Sequence, residues 1–132
     1  MPIQTALIEK PAVFVVDDDP AVCNSLKFSL ELEGFSVRTF ADGPELLEAD
    51  NFTRPGCLII DYKLPGTNGL DLLQRLRDRH VSTPAILITS HPTRALRELA
   101  TRAGVRIVEK PFLTDALTEE IREACKRSGL TS

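Results

Sequence analysis

The chain alternates two kinds of segment with a regularity that leaves few folds open. Short runs of strand-forming residues recur at 12–16 (AVFVV), 35–40 (FSVRTF), 57–61 (CLIID), 85–89 (AILIT) and 105–109 (VRIVE). Most are continuously apolar rather than alternating, the pattern of strands covered on both faces. Between and after them lie helical patterns. Asp19-Pro20 opens the first, as an Asx cap followed by proline in the first turn; Val22, Leu26 and Leu30 recur every four residues, and Gly34 ends it. A short helix is expected over 44–50, a Pro-Gly loop at Pro65-Gly66 after the third strand, and an amphipathic helix over 69–79 with Leu72, Leu73 and Leu76 inward. Another is expected from Pro92 to Ala103, stopped by Gly104, and a last one over 113–126 with Ala116, Leu117, Ile121, Ala124 and Cys125 on its apolar side. Strict strand–helix alternation requires parallel strands joined by right-handed crossovers. A closed eight-stranded barrel needs about 250 residues. At 132 residues the expectation is therefore a single open α/β domain over 12–128. A short lead occupies 1–11, and no output domain is expected.

Composition narrows the function. Hydrophobic residues make up 42% and charged residues 27%, which fits a soluble globular domain and excludes disordered and fibrous classes. The net charge of −3 argues against a direct nucleic-acid surface. Arg94, Arg97, Arg102 and Arg106 cluster, but Glu98 and Glu109 interrupt them, as on a solvated mixed face. Cys23, Cys57 and Cys125 show no metal-ligand spacing, and their odd number fits reduced thiols in a cytoplasm. No signal peptide or membrane span is read from the chain.

In open α/β sheets, ligands bind beyond the carboxyl ends of the strands. There the first strand presents Asp17, Asp18 and Asp19, and the third presents Asp61. The fourth presents Thr89 and Ser90, and the fifth Glu109 and Lys110; Asp42, after the second, is a weaker candidate. If the first and third strands are neighbours, Asp17, Asp18 and Asp61 share one pocket. Each close like-charge contact costs a few kcal/mol at an effective dielectric near 20. A hard divalent cation with oxygen ligands relieves that cost, and magnesium suits an open site because it keeps several waters. With the cation and Lys110 in place, a phosphoryl group gains partners on two sides, and the Thr89 hydroxyl can donate a third bond. Asp61 is then a plausible nucleophile, able to form an acyl phosphate.

The motifs VVDDD (15–19), IIDYKLPGTNG (59–69), LITS (87–90) and EKPF (109–112), in this order at the ends of successive strands, resemble the receiver domain of two-component response regulators. The resemblance spans about residues 12–127 and implies a flavodoxin-like sheet of strand order 2-1-3-4-5. It implies Asp61 as phosphoacceptor, Asp18 as direct Mg2+ ligand, Asp17 as a ligand acting more through water, and the Lys63 carbonyl as a further ligand. Asp19 takes the third, variable acidic position and caps the helix. Thr89 and Lys110 become the switch hydroxyl and the phosphate-binding lysine, with a cis peptide before Pro111.

Where the family carries an aromatic switch residue, three positions before the lysine, this chain has Ile107. Lys63 and His91 occupy positions that tune hydrolysis, and their size is expected to shield the acyl phosphate. His91 also reads as an ordinary loop histidine. The implied role is a stand-alone signalling domain rather than a dedicated enzyme, phosphorylated by a sensor histidine kinase. It would serve as output, as shuttle to a phosphotransfer protein, or as sink. Phe28 and Leu32 lie off the core stripe of the first helix, as core edge or as a homodimer contact.

Three other functions compete. An aspartate-nucleophile phosphatase would need an acid where Lys63 stands. A flavin carrier would need hydroxyls and glycines where three aspartates stand. A receiver-like scaffold without phosphoryl turnover stays open because of Ile107.

Overall fold

The computed structural model describes residues 10–49, 56–110 and 115–130. Most of the N-terminal lead, Asp50, the Lys110–Pro111 peptide and the start of the last helix at Leu113 lie outside these residues. Five parallel strands form the sheet: β1 (Ala12–Val16), β2 (Ser36–Phe40), β3 (Gly56–Asp61), β6 (Ala85–Thr89) and β7 (Arg106–Glu109). A two-stranded hairpin, β4 (Lys63–Leu64) and β5 (Thr67–Asn68), follows β3. The helices are α1 (Pro20–Leu32), α2 (Gly43–Glu48), α3 (Gly69–Asp78), α4 (Arg94–Ala103) and α5 (Asp115–Leu130). The sheet order is β2-β1-β3-β6-β7, which is the expected 2-1-3-4-5 once the hairpin strands are set aside.

The continuous apolar runs are buried on both faces, as their pattern requires: every residue of β1 and β3 is buried. Alternation divides the core. Val13, Val15, Cys57, Ile59, Ile86 and Ile88 pack with α1 and α5, while Phe14, Val16, Leu58, Ile60 and Leu87 face the side of α2, α3 and α4. The first four helices begin on side-chain caps. Asp19, Asp42, Asn68 and Thr93 accept backbone N–H bonds from Ala21, Glu45, Asp71 and Leu96. With Thr93 as its cap, α4 begins at Arg94, two residues after the expected Pro92. Asp42 is a helix cap rather than a pocket carboxylate. Gly104 closes α4 in the left-handed region, at φ 70°.

Val22 packs half-buried against the core as the α1 stripe requires, and Cys23 beside it is buried in the same cluster, since the helix turns by 100° per residue and the core lies between them. Two expectations need correction. Ala116 is exposed, and Leu117, Ile121, Ala124 and Cys125 form the inner face of α5. The loop expected at Pro65-Gly66 is a two-residue turn closing a hairpin, with Lys63 opposite Asn68 and Leu64 opposite Thr67. Gly66 takes φ 72°, which proline followed by glycine at the centre of a turn allows without strain.

Leu76 anchors α3 at 1% exposure among Phe14, Leu58 and Leu72. Leu76→Ala is expected to destabilise the fold by about 2–4 kcal/mol, measured by urea denaturation.

Candidate functional site

Strand register assembles the site. Val16 pairs with Ile60, so Asp17 and Asp61 follow side by side on neighbouring strands. Asp61 pairs with Ile88, and Thr89 pairs with Glu109, so Thr89 and Lys110 lie at the same sheet end. Parity then selects the side. Asp17, Asp61 and Lys110 continue the alternation of Val15, Ile59 and Val108, toward α1 and α5. Thr89 and Ile107 share the opposite parity with Leu87, toward α3 and α4.

The carboxylates of Asp17, Asp18 and Asp61 each bring an oxygen to within 4.8 Å of the others. Asp17 and Asp61 are buried at 1% and 6% exposure, whereas Asp18 is open to solvent. Lys110 bridges the buried pair: its Nζ lies 2.9 Å from Asp17 Oδ2 and 3.3 Å from Asp61 Oδ2. The other Asp17 oxygen accepts the Asp19 N–H at 2.9 Å, and the Cys23 thiol donates to the Asp17 carbonyl at 3.3 Å. Thr89 is buried, and its Oγ1 accepts the His91 N–H at 3.2 Å, which leaves the hydroxyl proton free to point elsewhere.

The balance of charge is unfavourable for Asp61. Burial, and then the charge of Asp17, push its carboxyl up to about 6, although Lys110 and the Lys63 N–H pull the other way. Burial opposes the Lys110 charge, but its bonds to Asp17 and Asp61 hold the ammonium above the usual lysine range. One lysine therefore does not compensate three carboxylates. Two unit charges at such separations repel by about 3 kcal/mol at an effective dielectric near 20. Oxygen donors only, partly open to water and with uncompensated negative charge, fit Mg2+ rather than a softer metal.

The remaining predicted residues are placed as follows. Lys63 and His91 are exposed at the rim, on the loops after β3 and β6. Ile107 is half-buried, opposite Leu87 on the face away from the carboxylates. Phe28 and Leu32 stand apart, 68% and 72% exposed on the outer side of α1. The three cysteines are buried and unpaired by disulfide. The arginines near α4 form a mixed face, with Arg94 on Glu98 at 3.7 Å and Arg106 on Glu120 at 3.4 Å. Sequence reasoning passed over Gly69, which follows Asn68 and seats α3 against Asp61. The Asn-Gly pair at the end of the loop was the available signal.

The raised Asp61 value has a sign that stability measurements can check. Without divalent cation, its contribution is fully present below about pH 4, where both folded and unfolded chains hold the proton. It is lost as pH rises to about 6, where the folded chain must also ionise. Asp61→Asn should therefore be more stable than wild type at pH 8 in chelator, on the order of 2 kcal/mol, and should lose that advantage near pH 4. Urea denaturation across this range reads both effects.

The family model for the response regulator receiver domain matches residues 13–122. FixJ of Bradyrhizobium diazoefficiens, a transcriptional regulatory protein, is 35% identical over 120 residues, 90% of this chain and 58% of its own length. DctD of Pseudomonas aeruginosa, a C4-dicarboxylate transport transcriptional regulatory protein, is 37% identical over 85% of this chain and 24% of its own. The solved FixJ-N structure superposes with a TM-score of 0.80 at 32% identity, covering 90% of this chain and 96% of that one. A CheY-like receiver domain protein from Methanospirillum hungatei does so with a TM-score of 0.83 at 26% identity, covering 94% and 100%. The chain spans about a quarter to three-fifths of the length of these two curated relatives. Among the described residues, no helix is long and apolar enough to cross a membrane. In family match, sheet order and the acidic cluster at its carboxyl end, this chain belongs to the response regulator receiver domains of two-component systems.

Proposed function

We propose that this receiver takes a phosphoryl group on Asp61 from a sensor histidine kinase. Receiver domains are signalling modules that interact with histidine kinases and are not dedicated enzymes. The observation that carries the reading is the convergence of three carboxylates beneath Lys110 at the ends of β1 and β3. In the transfer, an Asp61 oxygen forms the new bond to phosphorus. The phosphorus–nitrogen bond of the donor phosphohistidine breaks, and its electron pair stays on the imidazole, which takes up a proton. Asp17, Asp18, Asp61 and the Lys63 carbonyl would hold Mg2+, which supplies positive charge to the phosphoryl oxygens. Lys110 then exchanges its contact with Asp61 for one with the phosphoryl group. Thr89 donates its hydroxyl proton to the same group, drawing the loop after β6 toward it and biasing two loop arrangements. The half-buried Ile107 stands on the Thr89 side of the sheet, where it acts as an aliphatic packing surface in place of an aromatic switch.

The output is a change in affinity for a protein partner in the cytoplasm. That partner can be a phosphotransfer protein, so the chain can also serve as shuttle or sink. The transcriptional-regulator relatives extend well beyond the length this chain covers. The scaffold reading rests on Ile107 alone and predicts no phosphoryl transfer at all.

Acetyl phosphate with Mg2+ should add one phosphoryl group to wild type, read by mass spectrometry, and none to Asp61→Asn. Lys110→Ala should slow the initial rate by about tenfold or more, the worth of one charge-assisted contact. In the same assay, Lys63→Ala and His91→Ala should shorten the life of the phosphorylated form. Wild type and Asp61→Asn behaving alike would remove Asp61 as acceptor and leave the scaffold reading.

A further inference from the structure

Gly69 is the first residue of α3, and the space around it is closed by the back of the site. A Cβ built there would lie 2.7 Å from the Asp61 carbonyl oxygen, 2.6 Å from Leu87 Cδ1 and 3.1 Å from Ile60 Cγ2. The leucine methyl can turn aside. The Asp61 carbonyl cannot, because β3 is paired on one side with β1 and on the other with β6, where Asp61 itself pairs with Ile88. Gly69 is also tied to the loop, its N–H donating to the Tyr62 carbonyl at 2.7 Å. The hairpin between these two residues carries Lys63, whose main-chain N–H is near enough to the Asp61 carboxylate to favour its ionised form.

We propose that Gly69 is a positioning residue for the phosphoacceptor site: the missing side chain lets α3 press against the Asp61 carbonyl, and that contact fixes the hairpin bearing Lys63. A methyl group at 69 must push the start of α3 outward. The Gly69–Tyr62 bond lengthens, and the Lys63 N–H and carbonyl leave the place where they serve Asp61 and the cation. The main-chain conformation at 69 is not in the left-handed region, so the requirement is for space and not for glycine's torsional freedom. The cap supports the same junction: Asn68 accepts the Asp71 N–H at 2.9 Å and donates to the Asp71 carboxylate at 3.1 Å.

This inference rests on the reading of Asp61 and its neighbours as a Mg2+ site, and the experiment separates the two. Mg2+ is titrated calorimetrically, and by the fluorescence of Tyr62, the single tyrosine in a chain without tryptophan. Conditions are chosen where every variant is folded. Gly69→Ala should bind Mg2+ about tenfold or more weakly than wild type, the scale on which displaced supporting contacts act at metal sites. Asn68→Ala, which adds no atoms, should weaken binding less but in the same direction. Leu76→Ala lowers stability from the same helix but should bind within about twofold of wild type, as expected for a distant, independent site. Gly69→Ala binding like wild type while losing stability would overturn the proposal and leave Gly69 a packing residue. If Gly69→Ala does not fold, Asn68→Ala decides, and unchanged affinity there overturns it. Wild type failing to bind Mg2+ would instead overturn the metal-site reading itself.

Discussion

The structure turns on a repulsion that parallel strand register forces. Once Val16 pairs with Ile60, the next residues on β1 and β3 must stand side by side, and both are aspartates. Nothing in the pocket allows them to separate, because both strands are buried along their whole length and β3 is paired on both edges. Lys110 reaches both carboxylates from the end of β7, yet Asp61 still holds its proton more tightly than an ordinary carboxyl. A site that stores unfavourable charge in a rigid frame is prepared for whatever brings positive charge to it. Under the proposed function a divalent cation would do so, and with it would come the means of accepting a phosphoryl group.

The same frame divides the pocket from its readout. Asp17, Asp61 and Lys110 fall on one parity of the sheet, Thr89 and Ile107 on the other. In the proposed mechanism a phosphoryl group drawing on Thr89 would reach across the sheet edge, to the side where α4 packs. The His91 N–H on Thr89 Oγ1 would tie that movement to the loop leading into α4. Ile107 is aliphatic and half-buried, so such a coupling would rely on packing rather than on a ring turning between two positions.

Much of this was legible in the chain, and the reasons are physical. Buried parallel strands need short, continuous apolar runs rich in β-branched residues, so AVFVV, CLIID and AILIT declared themselves. Their carboxyl ends then held the functional candidates by topology alone, and Asp19 could be separated from Asp17 and Asp18 as a cap. What stayed hidden depends on space rather than pattern. A strand of two residues has no periodicity, so the hairpin read as a plain turn. Val22 and Cys23 are neighbours on the helix circumference and both meet the core, and only the angle of α1 on the sheet decides which is buried and which half-buried. Gly69 looks in sequence like any glycine after asparagine; its importance lies in how close the Asp61 carbonyl comes, which no spacing encodes.

The central claim is that the carboxylate excess at the ends of β1 and β3 constitutes a single divalent-cation site. Calorimetric titration of Mg2+ into wild type and Asp18→Asn at pH 8 tests it most directly, because Asp18 is exposed and its loss leaves the fold intact. The account predicts saturable binding of one ion per chain in wild type, weakened by about tenfold or more in Asp18→Asn. No saturable binding in wild type, or equal affinity in both proteins, would contradict it.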